Sequence, residues 1–134
     1  MILTLLHFLG FSTAIGGGAA VLVLMARIAA APDTAPHLRP AIKTIAGAGL
    51  VAIAVLWVTG LAMWVGRHGA AMDLGGGWHL KLTAAAGLTL LAGFAYARMA
   101  MGRPLPLPVA RAVLLAQLAL AVTAMAAALA TFGA

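Results

Sequence analysis

Four histidines, eight Lys+Arg and two Asp+Glu carry nearly all the ionisable chemistry in this chain of 134 residues. His7 is the deepest of these groups, inside a long apolar run. Neutral imidazole is a good ligand for iron, zinc or copper. Its alternative role is a hydrogen bond to a backbone carbonyl or a neighbouring helix. The stretch Trp78-His79-Leu80-Lys81-Leu82-Thr83 places a second histidine and a lysine at the start of another apolar run. Ionisable groups within lipid are costly, so both places are candidates for function. Paired carboxylates, a nucleophile with its base and a phosphate-cradling loop are all missing, and there is no cysteine. These absences point away from hydrolytic chemistry, and the lack of cysteine excludes a thiolate metal site. A redox role remains, in which a cofactor carries the reaction and the protein holds it.

Helical phase divides the second stretch. His79 and Lys81 are two residues apart, about 200° around a helix, and face different sides. Trp78 and Lys81 are three apart and share a side. Trp78 also fits an interfacial aromatic belt, and Lys81 a snorkelling helix end. A lysine turned into the bundle would need an anionic partner, and no Asp or Glu lies in any apolar run. A ligand carboxylate, such as a haem propionate, answers that need. Met63 and Met72 offer soft thioethers, which serve equally as packing. His68, beside Arg67, fits a solvated loop or the cap of a site on the same face; His37 lies at the opposite end with no assigned role.

The elements that must position these residues follow from composition. The chain is 65% hydrophobic and 7% charged, with a mean hydropathy of +1.14. So few charges cannot cover a soluble domain of this size. Four apolar runs predict membrane helices at about 2–26, 43–66, 78–101 and 111–133, each near the roughly 20 residues that a bilayer requires. Pro- and Gly-rich connectors separate them at 31–40, 67–77 and 102–108. Short connectors make sequential helices antiparallel neighbours. The expected fold is all-α: one domain over 1–134, an integral membrane four-helix bundle running up-down-up-down. The first run lacks the positive n-region of a secretion signal and is too long for its apolar core, so it is expected to stay as a helix. Gly10, Ala14 and Gly18 share the face of His7, which suits close helix packing or a slot for a flat ligand. The fourth run, with Gln117 and Thr123 as its main polar groups, is expected to be a packing helix with a possible homodimer face.

Net charge is +6, yet no basic cluster with interleaved aromatics exists, so nucleic acid is not an expected partner. The basic residues are topology signals. Arg27, Arg39, Lys43, Arg98, Arg103 and Arg111 flank the first and third connectors, whereas Arg67 and Lys81 flank the second. The positive-inside rule then puts the first and third connectors in the cytoplasm and both termini outside. The expected location is the inner (cell) membrane of a bacterium, with the termini on the periplasmic side. His7, Trp57, Thr59, Met63, Trp64, Trp78, His79 and Lys81 then gather near the outer face.

Leu6-His7-Phe8-Leu9-Gly10, Trp57-x-x-Gly60-Leu61 and Trp78-His79-Leu80-Lys81-Leu82-Thr83 resemble the HemJ-type protoporphyrinogen oxidase family. CopD-like copper-resistance membrane domains share the general look. The resemblance covers about three of the four helices. It implies haem b, with His7 as an axial iron ligand, Trp78 lining the pocket and Lys81 as an essential, catalytic lysine. His79 is the candidate second ligand to a six-coordinate iron. The implied activity is oxidation of protoporphyrinogen IX, with electrons passed to a membrane acceptor such as a quinone. The chain departs from the family pattern at Ser12-Thr13-Ala14-Ile15-Gly16, at Phe94 to Arg98 and at Pro104-Leu105-Pro106-Leu107-Pro108. The expectation therefore weights haem binding above oxidase activity. The alternatives are a b-type electron carrier without that substrate, a CopD-like copper protein using His7, His79 and methionines, and a structural subunit without cofactor.

Overall fold

The computed structural model describes residues 1–73 and 75–132 and is built from four long helices. These are α1 (Ile2–Ala30), α2 (Ala35–His68), α3 (Gly76–Ala100) and α4 (Leu107–Phe132), with one 3-10 turn at Pro32–Thr34 between α1 and α2. They have 29, 34, 25 and 26 residues. At 1.5 Å per residue even the shortest is roughly 38 Å long, more than the ~30 Å hydrocarbon core. All four are long and apolar enough to cross a membrane. Their outward faces are oily: Leu90 is 73% exposed and Val58 68%. Such a surface has lipid as its solvent, and the chain is a multi-pass membrane protein with an all-α four-helix bundle.

The bundle is two hairpins. α1 packs along α2 and α3 along α4, whereas the α1–α4 and α2–α3 seams are much thinner. Glycines set the close approaches. A Cβ on Gly10 would come within 3.1 Å of the Ala52 carbonyl oxygen on α2. One on Gly18 would meet Leu118 on α4, and one on Gly77 would run into the Thr131 hydroxyl. The expected common face of Gly10, Ala14 and Gly18 is thus split: Gly10 serves the α1–α2 seam and Gly18 the α1–α4 seam. Val21, Ile28, Ile42 and Leu114 form one core cluster, and Ile53, Leu88 and Ala121 another.

Helix ends differ from expectation mainly in the basic first connector. Instead of a loop to residue 43, α2 starts at Ala35 and α1 runs on to Ala30 rather than 26. Pro36 sits in the first turn, where a missing N–H costs nothing. Pro40 lies inside the helix and leaves the Pro36 carbonyl without its helical donor. The Thr44 hydroxyl donates to the Pro40 carbonyl one turn later, at 3.0 Å. A helix roughly 51 Å long need not end at the membrane surface, so its polar first turns project beyond it. α4 begins at Leu107 rather than 111 for the same reason, with Pro108 in its first turn. α3 is displaced by one or two residues, from Gly76 to Ala100, and the expected end of the fourth helix at 133 lies outside the described residues.

Two glycines close the turns. Gly69, at φ +57°, ends α2 in the left-handed region, and Gly102, at φ +70°, does so after α3. The Arg103 N–H reaches back to the Arg98 carbonyl at 2.9 Å, and the Arg98 Nε–H donates to the Arg103 carbonyl at 2.8 Å.

Candidate functional site

The thin α2–α3 and α1–α4 seams leave a cleft between the hairpins. In the half nearest Met1 and the 69–75 connection it opens into a cavity of about 640 Å³. That lies within the roughly 300–1,000 Å³ typical of small-molecule and cofactor sites. His7 from α1, Trp57, Met63, Trp64, Arg67 and His68 from α2, and Trp78 and Lys81 from α3 all line it, as does Met72 from the connection. No carboxylate is among the described residues that line it.

His7 is held by a hydroxyl relay. Its Nδ1 lies 2.8 Å from Thr59 Oγ1. Thr59 is 3% exposed, and its Oγ1 lies 2.7 Å from the Val55 carbonyl one turn back on α2. A hydroxyl has one proton, and a carbonyl can only accept. The Thr59 proton therefore goes to Val55, and Thr59 accepts the N–H of His7 Nδ1. That leaves Nε2 with the lone pair, the state in which imidazole binds a metal. Gly60 gives the ring room, since a Cβ there would stand 3.3 Å from His7 Cε1. A second relay crosses the thin α2–α3 seam. The Trp57 indole N–H donates to Thr89 Oγ1 at 2.8 Å, and Thr89 donates to the Ala85 carbonyl at 2.7 Å.

The rim is tied down in the same manner. Arg67 Nη2 donates to Thr4 Oγ1 at 2.7 Å, and Thr4 donates to the Met63 sulfur at 3.7 Å. The Trp64 indole N–H donates to the Ala71 carbonyl at 2.8 Å, tying the backbone just after α2 back to that helix. Trp64 and Trp78 rings lie 5.4 Å apart at 34°. Among the described residues no buried side-chain nitrogen or oxygen lacks a partner.

Of the four residues singled out in the sequence, His7, Trp78 and Lys81 share this cavity, and His79 does not. Trp78 is 4% exposed, so it is a buried wall residue rather than a lipid-facing belt residue. His79 is exposed, with its ring edge-on to Trp78 at 5.1 Å. The structure therefore does not bring His79 to the site as a second axial ligand. The helical phase separating residues 79 and 81 is the physical reason. Sequence reasoning gave Thr59 a place near the outer face but no partner, read Arg67 only as a topology signal, and assigned Thr89 no role. A threonine within a membrane helix most often bonds its own preceding turn, and only packing shows that the same hydroxyl also serves a neighbour.

The donor set narrows the choice of cofactor. Among the described residues no three His, Cys, Asp or Glu come together to hold a bare metal ion. A porphyrin supplies four equatorial nitrogens itself and asks the protein for an axial imidazole and cover for its faces. One histidine on the wall, aromatic and aliphatic neighbours and two cations meet that demand. The residues present therefore fit a haem. No family model, curated protein or solved structure matches this chain.

Proposed function

We propose that this protein binds haem b in the cavity around His7 and works as a membrane redox protein. The observation that carries this reading is the Thr59–His7 pair, a preset imidazole facing a large, carboxylate-free cavity. His7 would be the axial ligand. Phe11, Trp57 and Trp78 would cover the macrocycle, and Arg67 and Lys81 would receive its two propionates. Bound there, haem supplies a one-electron couple tuned by its axial ligand and by burial. The chain's own part is to fix the imidazole tautomer, exclude water and neutralise the carboxylates. Under the positive-inside rule this cavity would lie in the outer half of the membrane, proposed to be a bacterial inner membrane, with the N-terminus outside.

Protoporphyrinogen oxidation is the finer form of the proposal and rests on the resemblance and on Lys81, which lines the cavity. An electron carrier needs the haem without that substrate. The test is to express the protein with haem available, purify it in detergent and record its spectrum, then supply protoporphyrinogen IX anaerobically with a quinone. A Soret band with porphyrin formation supports the oxidase; a Soret band alone supports the carrier. A second reading has one observation in its favour: His7, Met63 and Met72 line the same cavity. Imidazole with two thioethers suits Cu(I). A colourless protein that carries copper by elemental analysis would replace haem with that ion.

A further inference from the structure

The other half of the cleft is a separate cavity of about 500 Å³. It adjoins the first, since Ala14, Ile53, Leu88 and Ala121 line both. Its chemistry is different. No histidine lines it among the described residues, so it offers no axial ligand to a porphyrin. Small residues, Gly17, Gly18, Gly49, Ala92 and Ala95, keep it open, and Val21, Ile42 and Leu114 make its apolar wall. Arg39 and Lys43 line it near the start of α2. They are four residues apart and therefore share one helix face. Both side chains are exposed. The two acidic residues of the chain, Asp33 and Asp73, do not line it. Farther in, Tyr96 from α3 lies against Gly47, where a Cβ would stand 3.7 Å from its hydroxyl, and Gln117 projects from α4.

The cavity thus has a polarity gradient: two cations at the end, a phenol and an amide next, then hydrocarbon down to the shared wall. The α2 path from Arg39 to Ile53 is roughly 21 Å long. A bare anion would leave the apolar depth empty, and a neutral hydrocarbon would leave the cations without counter-charge. Basic pockets between membrane helices commonly hold anionic lipid headgroups. We propose that this half of the cleft is a binding site for one anionic phospholipid. Its phosphate sits between Arg39 and Lys43, and an acyl chain lies between the hairpins. The lipid completes the α1–α4 and α2–α3 seams that the protein packs thinly. The site stands independently of haem, because it shares no ionisable residue with the first cavity.

Native mass spectrometry of the detergent-purified protein tests this. Phosphatidylglycerol and phosphatidylcholine with identical acyl chains are titrated in separate arms, and inorganic phosphate is added to each as competitor. The expected result is one phosphatidylglycerol retained per chain, little phosphatidylcholine and no displacement by millimolar phosphate. Each basic residue near an anionic headgroup contributes roughly fivefold, so the R39Q/K43Q double variant should bind about 30-fold more weakly. Ala92→Leu, which fills the apolar depth and leaves both cations in place, should also lower occupancy. Circular dichroism confirms that both variants keep their helices. Equal retention of the two lipids, or unchanged phosphatidylglycerol binding in both variants, would overturn the proposal in favour of ordinary lipid contact. Displacement by phosphate would overturn it in favour of an anion site.

Discussion

The proposed haem ligation by His7 turns on the position of one proton. Thr59 donates to Val55 and accepts from His7, which fixes the lone pair on Nε2. Partners that orient a ligating histidine typically contribute 10–100-fold to metal affinity. Thr59→Val keeps the shape and removes the acceptor, so haem affinity should fall by about that 10–100-fold factor. Thr59→Ser retains the hydroxyl and should stay near wild type. Titration of apoprotein with haem, followed by absorbance, reads both. The cations make a second prediction. If Arg67 and Lys81 receive propionates, wild-type protein should prefer haem to its dimethyl ester. Arg67→Gln with Lys81→Gln should abolish that preference without weakening ester binding. An unchanged preference would place the propionates elsewhere. Trp78 and Lys81 were legible as a pair because 3.6 residues per turn fixes their common side. Thr59 was not, because its second hydrogen bond crosses between helices that are distant in sequence.

Helices were the most legible level, because apolar length leaves few alternatives in a chain with so little charge. Their ends were less legible. Pro36, Pro40 and Pro108 read as connectors, yet two of them sit in first turns and the third is absorbed within α2. Periodicity reports which residues are apolar; it does not report how far a helix continues past the membrane. Pairing of the helices depends on glycines whose roles needed three dimensions. Gly10 faces the α2 backbone at Ala52, which cannot move aside as a side chain can. Gly10→Val should therefore overpack the α1–α2 seam at a cost of about 1–3 kcal/mol. Gly16→Val, where a Cβ meets nothing within 4 Å, should change stability little. Thermal unfolding in detergent, monitored by circular dichroism, compares the two. Equal changes in the two variants would mean that the close approach at Gly10 contributes nothing particular to stability.

The whole molecule is two hairpins around a cleft that is basic at both ends, with Arg67 and Lys81 at one and Arg39 and Lys43 at the other, and among the described residues imidazole and indole rings line only the first. One end gathers His7, His68, Trp64 and Trp78; the other gathers Arg39 and Lys43. The charge imbalance between connectors predicts which end faces the cytoplasm. The chain has no cysteine, so single engineered thiols report topology cleanly. In intact cells a membrane-impermeant maleimide should label Asp73→Cys and should label Met101→Cys only after permeabilisation. The reverse pattern would invert the molecule and move the cavity around His7 to the inner leaflet. The central claim, that this cavity holds haem through His7, is tested most directly by the visible spectrum of the purified protein beside His7→Ala. The expected result is a Soret band in wild type that is lost or strongly weakened in a His7→Ala protein of unchanged helicity. A wild-type protein with no Soret band after expression with haem available, or a band that His7→Ala leaves unchanged, would contradict it.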